Sequence, residues 1–273
     1  KIKDISTDAS LMDDLRPKNK LYQDLKLTEK HFGGVLPFEI LLVLEKNKIK
    51  QTVYDPEIIE LSKDVENLLR SELKHSSFFS ISTFLESFKR INKMDDRMIS
   101  DPLFIEQIMN NQQGQQIKLV NANKDILRIT GLIEDKTSSE MENIYTKLDS
   151  LANTFPPYLT LNYTGTTVVA LNTNKHIVKS LVNSLGIALI FISLIMAFLF
   201  RANSILFASL LTNIIPIFTV LGILAWLNIS IRPPTAMTFS VALGIAVDDS
   251  RHFLLHYGRV LANGLSRVEA IKS

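Results

Sequence analysis

"LVNSLGIALIFISLIMAFLF", Leu181–Phe200, is twenty consecutive residues without a charge. A helix of about that length crosses the roughly 30 Å of hydrocarbon in a bilayer. This stretch divides the chain into two materials. From Lys1 to Lys179 the sequence is mixed, lysine-rich and punctuated by turn residues, whereas from Ser180 onward charge almost vanishes until Asp248. Ser204–Ile231 is a second uncharged run, separated from the first only by Arg201, Ala202 and Asn203, so a tight helical hairpin is expected. Pro233 and Pro234 in "IRPPTAM" cannot continue the second helix, and a third apolar run starts near Thr235. The expected organisation is a soluble domain over residues 1–177 and an all-α transmembrane domain over 178–273. Its helices fall at about 180–200, 204–228 and 235–257, followed by the start of a cytoplasmic amphipathic stretch.

Orientation follows from the basic residues. Arg201 lies in the first short turn, and Arg259, Arg267 and Lys272 follow the third span, so both places read as cytoplasmic and the soluble domain as lying outside. Arg232, in the other turn, argues the opposite way. The 273 residues carry a formal charge of +2 and no cysteine, which removes a disulfide framework and a Cys-based zinc site. The basic residues are scattered, so no nucleic-acid partner is expected. The opening residues do not read as a signal peptide, and "VEAIKS" stops inside a helix-like pattern, so a piece of a longer protein is expected.

The soluble part repeats an order of elements. "FEILLVLE" (Phe38–Glu45) reads as a strand, and Asp55–Leu73 has helical spacing with Asp55 and Pro56 suited to the cap and first turn. "SSFFSIST" (Ser76–Thr83) reads as a strand, followed by a polar helical insertion through Asn111. "DILRITGLI" (Asp125–Ile133) and "YLTLNYTG" (Tyr158–Gly165) are further strands flanking a helix from Ser138 to about Thr154. This β-α-β, insertion, β-α-β order predicts an α+β ferredoxin-like split β-α-β domain. Gly33 and Gly34 read as a tight turn, since no Lys-Ser or Lys-Thr follows them into a helix. Phe78, Phe79, Phe84 and Phe88 are expected in the core more than on a lipid-binding surface. No catalytic constellation is apparent, and neither a cofactor nor a metal is expected.

"GIAVDDSRHFLLHY", Gly244–Tyr257, is the chemical puzzle of the apolar part. On a helix, Asp248, His252 and His256 recur at four-residue spacing with Asp249 beside them, so these groups share one stripe, free to face neighbouring helices. Counted from Thr235, the aspartates fall at about the fourteenth and fifteenth residues of a span needing roughly 20. An ionised side chain there costs about 2.5 to 3.5 kcal/mol or more, and two neighbouring carboxylates repel. One of the two is therefore expected to take up and release a proton, and the pair reads as a proton relay. Arg251 pairs with Asp248 or snorkels to the cytoplasmic surface. Gly244 offers another helix a close approach, and Asn213 and Pro216 suit a kink with exposed carbonyls in the second span.

"FRANSILFASLLTNIIPIFTVLGILAWLNISI" followed by "GIAVDDSRHFLLHY" resembles the membrane core of the resistance-nodulation-division (RND) superfamily, in particular its MMPL-like predicted exporters. "KHFGGVLPFEILLVLE" and "DPEIIELSKDVENLL" resemble the start of a periplasmic porter domain in the same proteins. The resemblance covers nearly the whole chain, and its most specific piece is the Gly-x-x-x-Asp-Asp element with the His-Phe after it.

The resemblance implies a multi-pass protein of the bacterial inner membrane, with residues 1–177 periplasmic, forming part of one half of a two-halved transporter. It implies proton-driven antiport of lipids or other hydrophobic or amphiphilic molecules, with Asp248 and Asp249 carrying protons and His252, Arg251, Gly244 and Asn213 supporting them. The implied partners are membrane lipid, the cargo, the other half of the transporter, and further copies or periplasmic proteins. Arg251 departs from the family pattern, which has a neutral residue there, and would suit a half that is structural. Sterol-sensing relatives and accessory subunits of protein translocation are the alternatives.

Overall fold

The computed structural model describes residues 10–45, 51–95, 100–110, 118–200, 203–227 and 231–263. They fall into two compact units, one spanning Ser10–Asn172 and the other running from Thr173 onward. The first is mixed α+β. Its elements are α1 (Lys20–Phe32), β1 (Leu36–Leu44), α2 (Pro56–Glu72), β2 (Ser77–Phe79), α3 (Ile81–Asn92), α4 (Pro102–Asn110), β3 (Ile126–Ile133), α5 (Ser138–Ala152) and β4 (Leu159–Thr164). The four strands form one sheet in the order β2-β3-β1-β4, with every neighbouring pair antiparallel. Because β1 and β2 both run antiparallel to β3 between them, this is the split β-α-β arrangement expected from the element order.

β1 places the core. Phe38, Ile40, Leu42 and Leu44 are buried at alternate positions, as a period of two requires of a strand with one covered face. They meet Ile58, Val65 and Leu69 of α2 and Met141, Ile144 and Leu148 of α5, each of which recurs at helical spacing. Burying one such side chain contributes about 1.5 to 3 kcal/mol.

Local chemistry sets the element ends. Asn19 caps α1 by accepting from the Leu21 N–H at 3.0 Å, and Gly33 closes it in the left-handed region at φ 80°. A Cβ at Gly33 would lie 1.7 Å from the His75 carbonyl oxygen, so the expected turn has a steric cause. The strand expected over Ser76–Thr83 is shorter, because the Ser80 hydroxyl accepts from the N–H groups of Ser82 and Thr83 and starts α3. Asp55, expected to cap α2, instead accepts from the Thr52 N–H at 2.8 Å, while Pro56 occupies the first turn. α5 starts with a capping box between Thr137 and Glu140.

The apolar part folds as α6 (Thr166–Phe200), α7 (Asn203–Trp226) and α8 (Pro233–Ala262). α6 begins earlier than the expected 180, directly after Gly165 ends β4. Val168 and Leu171 join the core of the first unit, and the Thr167 hydroxyl donates to the Pro37 carbonyl at 2.6 Å. α8 begins at Pro233, ahead of Thr235, because a proline ring is suited to the first helical position. Among the described residues one stretch, Thr166–Ile195, is long and apolar enough to cross a membrane; Ile214–Trp226 is apolar but shorter. α8 does not meet that measure. Of the expected spans, the first is the one with this support.

Candidate functional site

α8 carries every candidate residue except Asn213, which lies on α7. Its packed face is defined by Ala236 and Leu243, 5% and 3% exposed and one heptad apart, and α8 packs against α7. At 100° per residue, Asp248 lies about 140° from Leu243 around the helix and Asp249 about 120° on the other side. Both aspartates are exposed, as are His252 and His256. The helix therefore turns its acid and imidazole face away from the side that carries Ala236 and Leu243. The described residues pack the aliphatic face first.

Within the stripe, His252 Nε2 stands 3.6 Å from Asp248 Oδ1, one turn apart. That is an ion-pair separation longer than a hydrogen bond. Phe253 and Tyr257 stack one turn apart, ring centroids 6.3 Å and planes 10° apart, on the flank of the stripe. Gly244 is exposed, and nothing lies within 4 Å of where its Cβ would be, so its small surface is open within this unit. The side chains of Arg251 and Asn213 lie outside the described residues, so the expected support from each has no geometry to report. Asp248 and His252 are brought together, and Asp249 and Gly244 share the helix with them.

The sequence did not reveal a small apolar crevice of about 270 Å³ within the helical unit. Leu181 and Leu185 of α6, Ile217 and Leu221 of α7, Ile231 just before α8 and Phe239 within it line it. Its only sequence signal was the helix-breaking "IRPP" that makes the chain turn there. Apolar residues within an apolar run carry no mark that distinguishes a crevice wall from a lipid-facing side chain. Ile231 and Ala236 are buried there together with Val178.

No protein-family model matches the chain, and no curated protein matches it.

Proposed function

We propose that the chain is part of a proton-driven membrane transporter of the RND superfamily, MMPL-like, that exports lipids or other hydrophobic or amphiphilic molecules. The observation that carries this reading is the acidic face of α8. Two adjacent carboxylates and two imidazoles sit exposed on one side of α8, opposite the side that carries the buried Ala236 and Leu243. In a bilayer such a face must meet further protein or a water-filled cavity, since ionisable groups do not face lipid tails. The exposed apolar side chains on the remaining helices, such as Ile187, Phe191, Ile215 and Phe218, support the same setting, because soluble surfaces rarely expose them in such continuity.

In this reading the chain sits in the bacterial inner membrane with the α+β unit in the periplasm. Asp248 and Asp249 carry the protons, with His252 one turn along the same stripe, and the change in charge on the helix biases helix packing. The protein acts as a secondary transporter, not an enzyme. The remaining half of the transporter supplies the other helices.

The test is proton flux into proteoliposomes holding the complete parent protein, with candidate lipids supplied. Asp248→Asn and Asp249→Asn should each abolish lipid-dependent flux while the protein still assembles. Flux equal to wild type in both variants removes the relay. A lipid-sensing protein is the second reading, favoured by the apolar crevice beside Leu221 and Phe239; it predicts lipid binding with no net proton movement.

A further inference from the structure

The α+β unit holds a second feature remote in kind from the acidic helix. A cleft of about 600 Å³ opens at the end of the sheet where the chain from Lys118 to Asn121 runs beside β3, the Arg128 N–H donating to the Leu119 carbonyl at 2.7 Å. That volume is in the range of small-molecule sites. Its wall includes the apolar side chains of Leu41, Met109 and Ile126, its charged members are Lys118, Lys124 and Arg128, and no acidic residue lines it among the described residues.

The three cations are not equally engaged. Lys124 is taken by an ion pair with Glu106. Arg128 has only Glu39, with Nη1 to Oε1 at 3.6 Å, and its Nε is buried without an acceptor among the described residues. A buried donor left without a partner costs free energy that a bound acceptor would recover. Lys118 is exposed at the rim, and the neighbouring stretch 111–117, "NQQGQQI", contains no acid to neutralise it. The Tyr54 phenol also lines the cleft; burial, with Glu106 nearby, pushes its pKa up, so it remains a hydrogen-bond donor at neutral pH.

We infer that this cleft binds a single-tailed anionic amphiphile, its head held by Arg128 and Lys118 and its alkyl chain lying along Leu41, Ile126 and Met109. A planar guanidinium with free donor capacity matches a carboxylate or phosphate oxygen pair, and the apolar wall beside it suits a hydrocarbon tail. As a statement about cargo the inference rests on the export reading. As a statement about binding it does not, so the two fail separately.

The experiment uses the full chain in nanodiscs of zwitterionic lipid, with no proton gradient, titrated with a dansyl-labelled undecanoate against a baseline of empty nanodiscs. Arg128→Gln should weaken binding by about tenfold or more, as loss of a charge-assisted hydrogen bond does. Lys118→Gln, an exposed change that leaves the fold alone, should weaken it by roughly two- to fivefold. Dodecanoate should displace the probe, and dodecanol and inorganic phosphate should not. Unchanged affinity in Lys118→Gln and Arg128→Gln overturns the inference. So does displacement by phosphate as effective as by dodecanoate, which would mark a site for free anions. Binding lost in Arg128→Gln alongside normal flux in both Asp248→Asn and Asp249→Asn keeps this site and removes the relay; unchanged binding alongside lost flux does the opposite.

Discussion

Glu66 and Asp248 are both carboxylates on long helices, and their surroundings could hardly differ more. Glu66 of α2 is 5% exposed and fully engaged: Oε1 accepts from Arg70 Nη2 at 2.6 Å, Arg70 Nε at 2.9 Å and Thr83 Oγ1 at 2.5 Å, and Oε2 accepts from Ser80 Oγ. Asp248 of α8 has a side chain 61% exposed and a histidine at 3.6 Å. In the first unit the acid is consumed by the fold, joining α2 to the start of α3. In the helical unit it is left available. A buried carboxylate with both oxygens hydrogen-bonded is built into the fold, whereas an exposed one keeps its capacity to accept.

The same acid-to-amide change should therefore split the two sites. Glu66→Gln puts an amide NH2 among donors that all point inward and leaves Arg70 half-paired, at about 3 kcal/mol. Hydrogen exchange at the amides of β1 and β3 should speed up by roughly a hundredfold, by the factor of ten per 1.4 kcal/mol. Asp248→Asn should leave that exchange within twofold of wild type. Equal effects would mean that Asp248 is as deeply built into the fold as Glu66, and the comparison would collapse.

Backbone positions sharpen it further. Gly33→Ala forces a side chain into the left-handed region at φ 80° and against the His75 carbonyl, and about 2 kcal/mol of stability should be lost in the first unit. Gly244→Ala meets nothing within 4 Å in its own unit, so its stability effect there should be small or slightly favourable. Loss of transport in Gly244→Ala with unchanged exchange would show that a helix from elsewhere presses on that surface.

How much of this could be read beforehand differed by region for physical reasons. The apolar run of "FEILLVLE" and the helical spacing of Ile58, Val65 and Leu69 marked strand and helix, so the order of those elements was legible, whereas the alternate burial along β1 was not, because Leu41 and Val43 are as apolar as the buried Ile40 and Leu42. α1 was missed although Asn19 and Gly33 marked both its ends, because Leu21, Leu27 and Phe32 are exposed and give it no clear buried stripe. Ser76–Thr83 was read too long as a strand because Phe78 and Phe79 dominate the pattern, while the Ser80 cap works through a hydroxyl that hydrophobicity does not register. Asp248 and Asp249 stood out by charge alone. The stripe they share was legible, but the packed side opposite it was not, since nothing in the sequence singles out Ala236 and Leu243 among the apolar residues of α8.

A smaller test keeps to the first unit. Thr137→Ala removes one arm of the capping box of α5, whose Glu140 side chain answers the Thr137 N–H at 2.9 Å. The expected loss is about 1 kcal/mol, seen as faster exchange in the first turns of α5. Ser204→Ala, near the start of α7, should leave α5 untouched.

The smallest expected effect is a pH slope. Burial pushes the Tyr145 phenol up to about 12 and raises Tyr163 as well, the latter also through its hydrogen bond to Asp149. A group whose folded pKa is raised holds its proton after the unfolded chain has lost it. The stability it contributes is complete below pH 10, the ordinary tyrosine value, and declines as pH rises toward 12. The urea midpoint of the α+β unit, followed by far-UV circular dichroism, should fall across that window. Tyr145→Phe keeps the ring against Phe38 and Tyr163, whose centroids lie 6.3 and 4.5 Å away, and removes only the titrating oxygen. Its midpoint should fall less steeply over the same range. An identical slope in the variant would assign the alkaline loss to other groups, and the aromatic cluster would then contribute packing alone.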